Sequence, residues 1–162
     1  MCTKLVNIKN RIGGVSMRIT QEADYAIRIC AVLDLLGEKS GATEIATRAG
    51  ITQRFALKIL GKLADEGIVK SYKGARGGYV LNVDATELRF IELIEAIEGP
   101  LRLSKCLECD YDCTRNPEKA CCKMHVAFAA LNQHLVNSLG RITVRMLNDE
   151  SVSFDDITDV IK

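Results

Sequence analysis

The chain has no tryptophan, only two prolines and two histidines, and almost no net charge: 22 basic side chains against 21 acidic ones in 162 residues. So little proline, with 12 glycines, argues against a disordered or fibrous protein. No apolar run reaches the roughly 18 residues needed to cross a bilayer, so a membrane-spanning helix is not expected. Residues 1–16 carry Lys4, Lys9 and Arg11 without a continuous apolar core, which does not read as a secretory signal. A cytoplasmic setting is the expectation, and there clustered cysteines point to metal or redox chemistry rather than disulfides. The small net charge excludes a uniformly basic protein, but it conceals a division. Residues 1–80 hold 13 basic and 7 acidic side chains, and residues 81–162 hold 9 and 14. A polyanion partner is therefore expected for the first half alone.

Cysteine is the residue present in excess, with seven in the chain. Cys2 and Cys30 are isolated, whereas Cys106, Cys109, Cys113, Cys121 and Cys122 fall within 17 residues. Residues 1–16 show no period, and the well-patterned stretch begins at Met17. We therefore expect 1–16 to be an extension and Met17 a candidate native start, which would remove Cys2.

Apolar residues Ala23, Ala26, Ile27, Cys30, Ala31, Leu33 and Leu35 recur at helical spacing between an N-cap at Thr20 and a stop at Gly37. Cys30 falls on the apolar side and reads as a small core residue. A short helix fits Thr43–Ala49, ended by Gly50 in a left-handed turn. A third runs from the Thr52 cap to Glu66, with Phe55, Ala56, Ile59, Leu60 and Leu63 on one side. The period then changes to two: residues 68–72 and 79–83 read as strands around the glycine-rich loop Lys73-Gly74-Ala75-Arg76-Gly77-Gly78. Three helices and a hairpin make a winged helix-turn-helix over 17–83. The fold class expected is mainly α with a small β-hairpin.

Beyond it, residues 84–150 are expected to hold a linker helix, a cysteine-rich loop and a dimerisation helix. Asp84 and Glu87 resemble a capping box for the linker helix. Leu88, Ile91, Ile94 and Ile97 form its stripe, and Gly99-Pro100 its end. A long helix is expected from about Lys119 to Leu147, with Phe128, Leu131, Leu135, Ser138, Ile142 and Arg145 at alternating three and four spacing. Packing within the monomer is the competing use of that stripe. The tail 151–162 is expected to add a short amphipathic turn.

Two sets of residues carry chemistry. On the third helix, Gln53 and Arg54 lie in the first turn, where a recognition helix meets base edges. Lys58 and Lys62, one turn apart, suit phosphates. Lys73 and Arg76 sit where a wing reaches the backbone or minor groove, and Arg18 could add a phosphate contact. A solvated charged face is the plain alternative for each of these. The second set is Cys106-x6-Cys113-x8-Cys122-x2-His125, whose thiolates and imidazole suit an iron–sulfur cluster. Zinc competes, although only Cys106-x2-Cys109 has the short spacing of structural zinc sites. Cys109 and Cys121 could substitute for a neighbour. His125 could equally be an exposed helix-end histidine, and His134, with no cysteine nearby, reads as structural. Cys122 and His125 could also serve as nucleophile and base, but no third orienting group accompanies them, so an enzyme is not expected.

These segments resemble the IscR/NsrR-type (Rrf-two) family of bacterial winged-helix transcription factors over about residues 17–150. The resemblance lies in Met17-Arg18-Ile19-Thr20-Gln21-Glu22-Ala23-Asp24-Tyr25-Ala26, in Ile45-Ala46 with Gly50-Ile51-Thr52, and in Leu63-Ala64-Asp65-Glu66-Gly67-Ile68-Val69. It continues in Lys73-Gly74-Ala75-Arg76-Gly77-Gly78-Tyr79, in Ile94-Glu95-Ala96-Ile97-Glu98-Gly99-Pro100 and in the three spaced cysteines. The resemblance implies a homodimer on palindromic double-stranded DNA, acting as a repressor. It also implies a 2Fe–2S or 4Fe–4S cluster on Cys106, Cys113 and Cys122. The fourth ligand in such regulators is either a histidine shortly beyond the third cysteine, matching His125, or an acidic residue of the partner's first helix, matching Asp24, with Glu22 a weaker match. The signal sensed would be redox state, iron, nitric oxide or cluster status. The two additional cysteines depart from the pattern, and some relatives carry no cluster. A cluster-free or zinc-binding regulator or adaptor working through protein partners is the alternative function.

Overall fold

Thr20 and Gly37 bound the first helix as their chemistry dictates. In the computed structural model, which describes residues 19–74, 77–114 and 122–161, α1 spans Gln21–Leu36. The Thr20 hydroxyl accepts from the Ala23 N–H at 3.3 Å and donates to Glu98 at 2.7 Å, so one cap also ties α1 to a later helix. Gly37 adopts φ +63° and its N–H reaches the Leu33 carbonyl. Helix α2 (Ala42–Ala49) ends at Gly50, φ +68°, where the Ile51 N–H returns to the Ala46 carbonyl at 3.0 Å. That left-handed turn reverses the chain within three residues, and Thr52 caps α3 (Gln53–Asp65). The helix-turn-helix geometry follows from Gly50 and Thr52.

Strands β1 (Val69–Tyr72) and β2 (Gly78–Leu81) pair antiparallel, with Val69 opposite Leu81 and Tyr72 opposite Gly78. Ser40 exchanges two backbone hydrogen bonds with Tyr79, so the chain after α1 lies along the outer side of β2. Gly77 is required by space, because a Cβ there would lie 2.4 Å from the Tyr72 carbonyl oxygen and 2.8 Å from that of Gly74.

Three sequence expectations are revised. The linker helix α4 spans Phe90–Glu98, and its first turn is closed by Glu92, which accepts from the Arg89 N–H at 2.8 Å. Asp84 instead bonds the N–H and hydroxyl of Thr86, building a turn ahead of the helix. The long helix α5 covers Lys123–Leu139 and stops well short of Leu147. After Gly140 the chain leaves the helix and forms a single antiparallel bridge, Thr143 to Arg89. Phe90 N–H reaches the Ile142 carbonyl, Val144 N–H the Leu88 carbonyl and Arg145 N–H the Ala85 carbonyl, all at 2.9–3.0 Å. The β-branched Ile142 and Thr143 suit that bridge, Val144 already returns to helical backbone angles, and Ile142 and Val144 are buried. Ile142 and Arg145 therefore leave the stripe assigned to the helix. A 3-10 turn (Arg145–Leu147) and α6 (Phe154–Ile161) complete the chain, the latter fulfilling the expected amphipathic turn. Third, Phe55 is 42% exposed, while Ala56, Ile59, Leu60 and Leu63 are buried as expected.

One hydrophobic cluster joins Ile29, Leu33, Ile45, Ile59, Leu60 and Leu63 to Leu88, Leu93 and Val144. Chain beyond the wing thus closes the core of the helix-turn-helix. Cys30 is fully buried in it, and burial pushes its thiol far above the ordinary range. Among the described residues, no helix is long and apolar enough to cross a membrane.

Candidate nucleic-acid interface and thiol-bearing loop

Capping by Thr52 points the first turn of α3 outward and leaves Gln53 and Arg54 exposed. Lys58 and Lys62 follow on the same helix, but both reach back to α1. Lys62 donates to Glu22 Oε2 at 2.8 Å and Lys58 donates to Glu22 Oε1. The Lys58 and Lys62 hydrogen bonds hold the Glu22 carboxyl down at about 2. The two lysines expected to meet phosphates are therefore partly neutralised by their own fold. Tyr25 and Phe55 pack edge to face at 5.9 Å beside them, which explains why Phe55 lies at the surface. Lys73 is exposed at the base of the wing. Arg18 and Arg76 lie outside the described residues.

Three residues missed in the sequence gather at the same hairpin, Lys70 and Tyr72 on β1 and Lys39 on the segment after α1. Lys39 Nζ lies 5.3 Å and Lys70 Nζ 5.5 Å from the centre of the Tyr72 ring. The period-two spacing of Lys70 and Tyr72 could have revealed that pair. Lys39 joins them only through the Ser40–Tyr79 bridge, which has no local signal.

The thiol-bearing residues occupy the other end of α5. Cys106 is buried in a 3-10 turn (Lys105–Leu107), with its Sγ 3.3 Å from the Ser104 hydroxyl. Asn132 of α5 clamps this loop, accepting from the Leu103 N–H at 2.9 Å and donating to the Leu101 carbonyl at 3.1 Å. Half-buried Cys122 is the N-cap of α5, and Cys113 is also half-buried. His125, in the first turn of α5, has a buried Nδ1 with no hydrogen-bond partner. Cys109 is exposed, and Cys121 lies outside the described residues. His134 is exposed on α5. Asp24, on α1, forms a half-exposed pair with Arg28 at 2.8 Å. Among the described residues, no three cysteine, histidine or acidic side chains are gathered closely enough to hold a metal ion.

A recognition helix capped toward solvent, a glycine-rich wing and a core that closes behind them define a winged-helix protein of the DNA-reading class. Residues 19–150 match the model of the Rrf2 family, described as an iron-dependent transcriptional regulator. The chain belongs to the Rrf2 family of transcriptional regulators. It is 35% identical over 124 residues to an rrf2-like HTH-type transcriptional regulator of Rhodobacter capsulatus, covering 68% of this chain and 79% of that protein. It is 28% identical over 148 residues to the HTH-type transcriptional regulator IscR of Cronobacter sakazakii, covering 88% and 86%. Among solved structures it resembles CymR, the global cysteine regulator of B. subtilis, with a TM-score of 0.63 at 21% identity, covering 82% of this chain and 96% of that one. Some other curated relatives are matched over only 54–64% of their own length.

Proposed function

We propose that this protein is a cytoplasmic, homodimeric repressor that binds palindromic double-stranded DNA and whose affinity is set by an iron–sulfur cluster. The observation that carries the DNA reading is the exposed first turn of α3, with Gln53 and Arg54 free to meet base edges beside Lys73 on the wing. Lys58, Lys62, Arg18 and Arg76 would contribute backbone contacts. The cluster reading is supported by His125 Nδ1, a buried nitrogen lacking a partner one turn from Cys122. A buried polar atom left unbonded is costly, and a ligand is one way to satisfy it. Cys106, Cys113 and Cys122 would hold the cluster with His125, or with Asp24 of a second copy, as the fourth ligand. When bound, the cluster supplies a redox-sensitive centre that ties the loop to α5.

The chain's own residues suggest how that tie would act. Asn132 fastens the loop to α5, and the strand-like segment after α5 is bonded into the winged helix through Leu88, Phe90 and Ala85. A shift of α5 thus reaches the core beneath α3 without a separate relay. Allostery requires such a difference in contacts between two states. Met124 and Leu131, seven residues apart and hence on one face of α5, are 49% and 58% exposed and offer an apolar surface for a second copy. Pairing there would set two recognition helices about one DNA turn (~34 Å) apart. In this reading 17–83 contacts DNA and 84–150 senses and dimerises.

The test is anaerobic purification with iron, sulfide and absorption measurements, followed by DNA titrations before and after cluster removal. A coloured protein whose DNA affinity changes on cluster loss supports the reading. Colourless protein with stoichiometric zinc, or with no metal, favours the second reading: a cluster-free regulator or adaptor acting through protein partners. Among the described residues, the donor groups stand apart, and that is the observation that favours it.

A further inference from the structure

We propose that Lys39, Lys70 and Tyr72 form a phosphate-binding platform on the wing, which grips the duplex backbone irrespective of sequence. The proposal rests on the DNA-binding reading above and adds a grip that the recognition helix does not supply.

Strand β1 places Lys70 and Tyr72 two residues apart, hence on one face, and both are exposed. Opposite Tyr72 in the ladder stands Gly78. A Cβ on Gly78 would lie 2.7 Å from the Ser40 carbonyl oxygen and 3.1 Å from Lys39 Cγ. Glycine at 78 leaves room for the Ser40 backbone to lie against the ladder, with the Lys39 stem beside it. The Ser40–Tyr79 backbone pair holds Lys39 in that register, and its ammonium comes to rest 5.3 Å from the Tyr72 ring centre. Lys70 reaches the same ring at 5.5 Å. Two cations therefore share one aromatic ring, on a tyrosine that is 43% exposed.

The electrostatics separate this pair from the lysines of α3. Lys58 and Lys62 give their charge to a carboxylate, Glu22. Neither Lys39 nor Lys70 makes an ion pair among the described residues; each is oriented by the ring quadrupole. A neutral ring positions an ammonium without cancelling its charge. Two uncompensated, pre-oriented cations flanking a hydroxyl donor suit the oxygens of the DNA backbone. They carry no base-reading geometry, so the contribution is to affinity and register, not to sequence choice.

The test measures fluorescence anisotropy of the full chain on a mixed-sequence duplex of about 30 base pairs across a sodium chloride series. Each cation withdrawn from the phosphates lowers the slope of log affinity against log salt by about 0.9, because one fewer counterion is released on binding. Lys39→Gln and Lys70→Gln should each lower it by about 0.9, and the double variant by about 1.8, with thermal melting unchanged. Tyr72→Phe should keep the wild-type slope, because the ring quadrupole persists; Tyr72→Ala should weaken binding. A double variant with native melting and the wild-type slope overturns the platform. Absence of salt-dependent duplex binding by the wild-type chain would instead overturn the DNA-binding reading, and the platform with it.

Discussion

At the scale of single residues, Glu22 sets how much positive charge α3 presents to solvent. Its carboxylate takes hydrogen bonds from both Lys58 and Lys62, and those bonds hold it at about 2. A carboxyl lowered in the folded state contributes stability above its unfolded value of about 4.5, and loses it as pH falls toward 2. Glu22→Gln should therefore lower the melting temperature at neutral pH, with the difference from wild type shrinking as pH is brought down through that window. The same substitution frees two cations. Duplex binding should tighten at low salt, with a salt slope steeper by up to about 1.8. Weaker binding with an unchanged slope would show that Glu22 serves DNA binding by positioning the lysines.

His125 belongs to the same scale. Its buried, unpartnered Nδ1 marks it as the ligand to test before Asp24, whose carboxylate is occupied by Arg28. His125→Ala should alter the absorption spectrum of anaerobically purified protein or speed loss of colour in air, while Asp24→Ala leaves both nearly unchanged. The reverse pattern would place the fourth ligand on α1 of a second copy.

Among the elements, the segment after α5 carries more than its length suggests. Arg145 pairs with Asp34 at 2.9 Å, and Asn148 donates to both Asp34 and the Ala31 carbonyl at 2.8 Å. The Asp34 side chain is only 3% exposed, so its partners are not readily replaced by water. Arg145→Ala should destabilise the fold by about 1–3 kcal/mol, the cost of leaving a buried acceptor short of a partner. Chemical denaturation measures this, and a change below a few tenths of a kcal/mol would show that Asn148 alone satisfies Asp34. Helix α5 faces the opposite problem: of its 17 residues only Ser138 is buried. Leu131→Glu, at a position 58% exposed, should leave the monomer folded and shift light scattering from dimer to monomer. An unchanged mass would move the dimer contact off α5.

At the scale of the whole molecule, the near-zero net charge is a cancellation between a basic first half and an acidic second half. The structure refines this division. Part of the basic charge is neutralised inside the helix-turn-helix by Glu22, and part is held on the wing by Tyr72. Thiols and the residues proposed to read DNA lie on different elements, and the chain after α5 joins those elements through the common core.

Local chemistry was legible in the residues themselves. Thr20, Gly37, Gly50 and Thr52 bound their helices because a cap or a left-handed turn is decided by one or two neighbouring side chains. The change of period at residue 68 likewise announces the hairpin. The order helix-turn-helix, wing, linker helix, cysteine loop and long helix was thus written in the sequence. The end of α5 was not. A three-and-four spacing continues through Ile142 and Arg145, yet the segment leaves the helix and gains hydrogen bonds to Leu88, Phe90 and Ala85, residues about 55 positions earlier in the chain. Glu22 gripping α3, Lys39 reaching the Tyr72 ring and Arg145 reaching Asp34 are also contacts between distant segments. Periodicity registers which face of an element is apolar; only the packed chain settles which charges meet and which remain free for a partner.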